Sequence, residues 1–290
     1  MPVSKSILQH KAIKAKLDLV RQNPASAWFL VRYYLSDMLR RDACTVVSYP
    51  KSGRTWLEQL LIGLACARCG GTPHADDTYM RLARRCGMPL IRFSHAGSSW
   101  ESGTRDAGEI SRTVPRSYAA KTYVLLIRDP RDVLVSSYYH MVHRTGITTL
   151  EVEDMIVSPL VGLPKLVAFM NHWWDHAQAD GGAGLVVRYE EFKADAAAAL
   201  GRVCGHVGIV ASGTELAAAV ESARFEKLKA RERRSEGANP WLMARDVDNE
   251  STYKMRKGLV GEYREFFSGE QQERINRYIG RHLRDGLGYK

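Results

Sequence analysis

The sequence predicts an α/β fold: a single domain with a central parallel β-sheet flanked by helices. Three observations carry that prediction. Short apolar, β-branched runs recur at 44–49, 123–127 and 184–189. Each is followed by residues with helical spacing, not by a second strand one hairpin away. The run Tyr123-Val-Leu-Leu-Ile127 is apolar without interruption, as in a strand covered on both faces. Strand–turn–helix alternation of this kind builds a parallel sheet that binds ligands at the carboxyl ends of its strands. The turns after Tyr49, Ile127 and Tyr189 are therefore the places to look for chemistry.

In chain order, residues 5–40 read as helical, and 1–40 as a helical segment packed on a main domain of 41–290. The strand at 44–49 ends at the turn Pro50-Lys-Ser-Gly53, and a helix over 54–66 follows. Residues 70–87 read as a loop holding a short helix, 90–93 as a second strand, and 97–111 as a Gly/Ser-rich loop. Asp129-Pro130 stops the central strand and opens a helix over 131–144. Helices are predicted over 163–179, near 192–208 and 214–222, and from about 268 to 283. Between the last two, 230–256 is charged and contains Gly237 and Pro240, which predicts a long loop. Its 229–253 stretch is a candidate lid.

Composition narrows the function classes less than the motifs do. The chain has 290 residues, with 45% hydrophobic and 26% charged, which suits a globular domain with a full core. A net charge of +10 favours an anionic partner without choosing among nucleotide, metabolite, nucleic acid and membrane surface. Five cysteines, an odd number in a long chain, predict thiols rather than a disulfide framework. Cys66 and Cys69 have no second Cys/His pair at ligand spacing, so no metal is expected there. Residues 1–16 are polar and basic, without the apolar core of a secretory signal, and the expected location is cytoplasmic. The stretch Ala27–Leu35 is broken by Arg32 and too short to cross a bilayer, so no stable membrane insertion is expected.

The first turn, Tyr49-Pro-Lys-Ser-Gly-Arg-Thr-Trp56, reads as a P-loop-like phosphate cradle. Gly53 lets the main chain approach a ligand. The amides of Ser52 to Trp56 open a helix and suit an anion. Lys51, Ser52 and Thr55 add a charge and two hydroxyls. The order differs from the nucleotide-binding Gly-x4-Gly-Lys-Ser/Thr loop, since the lysine precedes the only glycine. A nucleotide kinase or NTPase is thus the weaker alternative, beside a non-catalytic anion-binding module. Single, scattered aromatics offer no stacking platform for nucleic acid. The second turn repeats the arrangement: Arg128 leaves the central strand at its carboxyl end, and Ser136 lies about two helical turns further on.

These two segments resemble the 5′-phosphosulfate and 3′-phosphate motifs of the sulfotransferases that use 3′-phosphoadenylyl sulfate (PAPS), the cytosolic type in particular. A third, Met255-Arg-Lys-Gly-Leu-Val-Gly-Glu-Tyr263, is similar to the family's Arg-Lys-Gly-x2-Gly-Asp-Trp segment. All three run in family order. The resemblance implies the sulfotransferase fold, PAPS as co-substrate, adenosine 3′,5′-bisphosphate as product, and no metal. It implies that Lys51 meets the oxygen bridging sulfate and phosphate, and that Ser52, Gly53 and Thr55 hold the 5′-phosphate; Arg54, a departure from the family motif, is a candidate for an added phosphate contact or a lid pairing. Trp56, Tyr189 and Phe225 are implied at the adenine; Arg128, Ser136, Arg256, Lys257 and Gly258 at the 3′-phosphate. His95, just after the second strand, is the implied catalytic base, in a catalytic set with Lys51 and Ser136. The acceptor, a hydroxyl or amine on a small molecule, glycan or lipid, is left open, and so is the oligomeric state. Arg54 stands where the family carries threonine, and Phe93 where it often carries lysine.

Overall fold

The structure is a computed structural model that describes Lys14 and residues 43–74, 76–99, 105–110, 122–179, 181–234 and 245–290. The expectations for 1–40, including the stretch 27–35, fall outside the described residues.

Strand β1 (Cys44–Ser48) turns into α1 (Arg54–Cys69), followed by α2 (Tyr79–Arg85), β2 (Ile91–Ser94) and α3 (Ala107–Ile110). Then come β3 (Tyr123–Ile127), α4 (Pro130–Tyr138), a π-helical continuation (Tyr139–Arg144), α5 (Val152–Val157), α6 (Leu163–Ala179) and β4 (Gly184–Arg188). The chain closes with α7 (Tyr189–Ala194), α8 (Ala196–His206), α9 (Gly213–Ser222), α10 (Phe225–Arg234), α11 (Tyr263–Phe266) and α12 (Gly269–His282). Capping boxes at Ser212/Glu215 and Ser268/Gln271 start α9 and α12, satisfying first-turn amides that would otherwise lack partners.

The four strands pair in parallel in the order β2-β1-β3-β4. Period-two alternation divides the core. Val47, Tyr123, Leu125 and Ile127 pack with α4, α6 and α12, whose buried residues include Leu134, Phe169, Trp173 and Ile275. Cys44, Val46, Val124 and Leu126 pack with α1, α2, α8 and α9 through Leu60, Leu82, Leu200 and Ala219. Helices on both faces explain why β1 and β3 are buried at every position. Among the described residues no helix is long and apolar enough to cross a membrane.

Several expectations are corrected. The helix predicted near 192–208 is two helices parted at Asp195, whose extended backbone lets its carboxylate accept from the Ala198 amide and cap α8. The helix after β3 starts one residue earlier, at Pro130, and its last turn widens into the π-helix. The long loop over 230–256 begins as helix: α10 runs to Arg234, anchored by buried Leu228 and Glu232 one turn apart. Residues 235–244 lie outside the described residues. The expectation of thiols alone is overturned by a disulfide between Cys69 and Cys86, whose Cα atoms are 5.9 Å apart. The two residues end or directly follow α1 and α2, so their meeting depends on helix packing, which cysteine spacing does not encode.

Candidate active site

Each strand delivers one site residue at its carboxyl end. Lys51 lies three residues beyond β1, and His95, Arg128 and Tyr189 directly follow β2, β3 and β4. The pairings Val47–Ser94, Ser48–Leu126 and Ile127–Arg188 keep these ends level, so all four converge on one cavity.

The turn after β1 is held by its backbone. Lys51 has φ 72° and Gly53 φ 99°, both left-handed. Lysine at such an angle carries strain that the surrounding contacts must hold. The Ser52 amide donates to the Tyr49 carbonyl at 3.3 Å, and the Trp56 amide to the Gly53 carbonyl at 2.9 Å. Of the five amides expected to meet an anion, two are therefore spent within the turn. Those of Gly53, Arg54 and Thr55 remain at the start of α1, where a helix has no acceptors of its own. Gly53 is required for space as well: a Cβ there would sit 2.6 Å from Cδ2 of Tyr189.

Arg128 joins the two phosphate-motif loops. Its Nη2 donates to the Leu259 carbonyl at 2.9 Å and Nη1 to the Lys51 carbonyl at 3.5 Å. Its guanidinium lies 4.3 Å from the Tyr189 ring centroid and 3.7 Å from Asp132. Asp132 in turn accepts from the amides of Gly261 (2.8 Å) and Tyr263 (3.2 Å), fastening the far loop to α4. Arg128 Nε is buried without a hydrogen-bond partner among the described residues, a donor suited to an incoming oxyanion.

The segment 254–258 lines the same cavity. Arg256 stacks 3.8 Å above the Tyr139 ring and pairs with Glu262. Lys257, half exposed, lies 3.5 Å from Glu262. Gly258 has φ 64°, and a Cβ there would meet Cε2 of Phe225 at 2.7 Å. The Tyr189 hydroxyl donates to the Gly258 carbonyl at 3.4 Å. Trp56 is oriented by its indole N–H, which donates to the Ala223 carbonyl at 3.0 Å, and meets Tyr189 edge-on at 5.6 Å.

His95 Nδ1 lies 2.8 Å from the carbonyl of Ser48, the last residue of β1. A carbonyl only accepts, so Nδ1 carries the proton of this bond, and in the neutral tautomer the ring's lone pair sits on Nε2. Burial, then the nearby Lys254 ammonium, holds the Lys51 ammonium well below the ordinary lysine range. Burial, then Arg144 and Arg54, pushes Lys254 down to about 7.

The cavity is lined by Lys51, Gly53, Arg54, Thr55, Trp56, His95, Arg128, Ser136, Tyr189, Phe225, Arg256, Lys257 and Gly258. Ser52 is the one site residue inferred from sequence that is not in its lining; it is 2% exposed and serves the turn. Sequence reasoning missed Asp132, Glu232, Lys254 and Glu262. Glu232 is fully buried and accepts from Arg144 Nη1 (2.5 Å) and from the amides of Lys254 (2.6 Å) and Met255 (2.8 Å). It thereby ties α10 and the π-helix to the segment that carries Arg256. Nothing local marks Glu232 within Arg231-Glu-Arg-Arg234; Asp132 had a signal, its place one turn beyond Arg128.

The sulfotransferase domain family matches residues 111–286, more than half of the chain. The 3-beta-hydroxysteroid sulfotransferase of Cavia porcellus is 23% identical over 261 residues, covering 86% of this chain and 86% of that protein. Sulfotransferase 2A6 of Mus musculus is 23% identical over 252 residues, covering 83% and 84%. Mouse sulfotransferase SULT7A1 complexed with PAP superposes with a TM-score of 0.57 at 19% identity, over 85% of this chain and 86% of that one. Retinol dehydratase in complex with retinol and PAP gives 0.57 at 20% identity, over 88% and 86%. At such identities the solved structures speak for the fold. With this parallel sheet, this loop at its centre and the family match over 111–286, the chain belongs to the sulfotransferase domain family, the PAPS-dependent transferases of sulfuryl groups.

Proposed function

We propose that this enzyme moves a sulfuryl group from PAPS to the hydroxyl of a small-molecule acceptor through the cavity at the carboxyl edge of the sheet. The observation that carries this reading is the convergence of two separate oxyanion grips on one cavity. Lys51 and the first amides of α1 form one, and Arg128 with Ser136 and 256–258 forms the other. A doubly phosphorylated adenosine has an anionic group for each. The buried, unpartnered Arg128 Nε and the two glycines pressed against Tyr189 and Phe225 fit a site shaped for phosphates and a flat base.

His95 takes the acceptor's proton on Nε2 as the acceptor oxygen bonds to sulfur. The bond from sulfur to the bridging oxygen breaks, and its electron pair stays on the departing phosphate. Lys51 and the amides of Gly53, Arg54 and Thr55 meet the charge that grows there, a stabilisation made chiefly in the transition state. Ser136, on α4, supports the 3′ grip. The named relatives include a hydroxysteroid sulfotransferase and a retinol-bound dehydratase, so a sterol and retinol belong in the first acceptor screen.

Calorimetry with adenosine 3′,5′-bisphosphate against AMP tests the reading. One charge-assisted contact set to the 3′-phosphate is worth about 2 kcal/mol, so the bisphosphate should bind roughly thirtyfold more tightly. Equal affinities would reject it.

A further inference from the structure

Lys254 lines the cavity together with Lys51 and His95, and neither motif reading nor resemblance gives it a role. Among the described residues it forms no ion pair, and neither does Lys51. The carboxylate whose charge bears on both, Glu232, is committed to Arg144 and to the amides of Lys254 and Met255. Two ammonium groups thus line one cavity; Glu232 acts on both and Glu58 on Lys254, yet burial outweighs these carboxylates at each lysine. Such an arrangement is costly in the empty protein and is relieved by an anion lying between them.

Position along the cavity decides which anion. Two residues on, Arg256 turns to Tyr139 and Glu262, and Gly258 turns to Phe225 and Tyr189, on the Arg128 side. Lys254 acts on the other side. Of all neighbouring charges its own bears most on Lys51, and it also acts on Glu58, one turn into α1 beside Arg54. That is the β1-loop end, where the proposed function puts the sulfuryl group.

We propose that Lys254 is a second catalytic cation that, together with Lys51, contacts the sulfuryl oxygens during transfer. The inference rests on the proposed donor site. Lys254 joins none of the bonds being made or broken; it meets the negative charge of the three sulfuryl oxygens as the group passes from the bridging oxygen to the acceptor. The groups around it are Lys51 from the β1 loop, Arg54 and Glu58 from α1, Arg144 from the π-helix and Glu232 from α10. With an ammonium pushed down to about 7, the free enzyme loses this cation as pH rises through neutrality. The value of kcat/KM for PAPS therefore falls on the alkaline side.

Lys254→Met and Lys254→Arg test it, with any acceptor that the parent enzyme turns over and with adenosine 3′,5′-bisphosphate, which lacks the sulfuryl group, as binding probe. Lys254→Met should lose transfer on the order of a hundredfold, as for one preorganised charge stabiliser, while bisphosphate affinity stays within about threefold. Lys254→Arg should keep transfer, because a guanidinium stays charged in this range. Parental transfer by Lys254→Met overturns the assignment. So does a parallel loss of transfer and bisphosphate affinity, or a loss of transfer by Lys254→Arg as deep as that by Lys254→Met. If the parent enzyme itself does not prefer the bisphosphate to AMP, the donor site fails first, and that result is read before any variant is made.

Discussion

Lys51 shows how much local cost the site accepts at the residue scale. Its backbone is left-handed, its ammonium is depressed by burial and by Lys254, and it forms no ion pair among the described residues. A lysine in those surroundings has little to add to stability and much to add to an anion's. Lys51→Ala should therefore leave the fold intact by circular dichroism and cost about 3–4 kcal/mol of barrier, a loss of several hundredfold in kcat. The two glycines make the complementary case. Gly53→Ala places a methyl group 2.6 Å from Tyr189 at φ 99°, and Gly258→Ala does the same 2.7 Å from Phe225 at φ 64°. Each should cost about 1–2 kcal/mol of strain and weaken bisphosphate binding on the order of tenfold, measured by calorimetry.

At the scale of elements, two clamps hold the walls of the candidate site, each centred on a buried carboxylate. Asp132 on α4 fastens 261–263 and accompanies Arg128. Glu232 on α10 fastens 254–255 and the π-helix through Arg144, which also donates to the Thr252 carbonyl at 3.1 Å. Together they fix both ends of the segment holding Arg256, Lys257 and Gly258. Glu232→Gln leaves the Arg144 guanidinium buried beside a neutral amide, so the variant should lose about 3 kcal/mol in urea unfolding. Bisphosphate affinity should fall with it, because Arg256 is no longer held. An unchanged unfolding midpoint would show the clamp to be dispensable. The candidate lid is affected too, since 229–234 is helix and 245–253 leads into the anchored Thr252 and Tyr253.

At the scale of the whole molecule, the site lies where the sheet ends and loops from both faces meet. Lys51, His95, Arg128 and Tyr189 come from four strands, and 254–258 comes from late in the chain. A ligand bridging them ties the two core faces together and binds only the folded state. Saturation with adenosine 3′,5′-bisphosphate at about a hundred times its Kd should stabilise the protein by about 2.7 kcal/mol. For a chain of 290 residues that amounts to a rise in Tm of roughly 4 °C. Differential scanning fluorimetry reads it directly, and AMP at the same concentration should give a smaller rise.

The sequence by itself determined the strands β1, β3 and β4, the strand–turn–helix order and the placing of two candidate phosphate loops after β1 and β3. These are local: an apolar run, a glycine that frees the backbone, and a lysine or arginine at a strand end act through neighbours in the chain. It determined His95 only as a histidine after a strand; the bond from Nδ1 to the Ser48 carbonyl, which sets the tautomer, needs β1 and β2 side by side. Tertiary structure alone decided the Cys69–Cys86 disulfide, the partners of Arg128, the clamps at Asp132 and Glu232, and the approach of Lys254 to Lys51. The physical reason is range. Propensity and spacing act over a few residues, whereas burial and charge act through space between residues as far apart as 51 and 254, and folding alone brings those together.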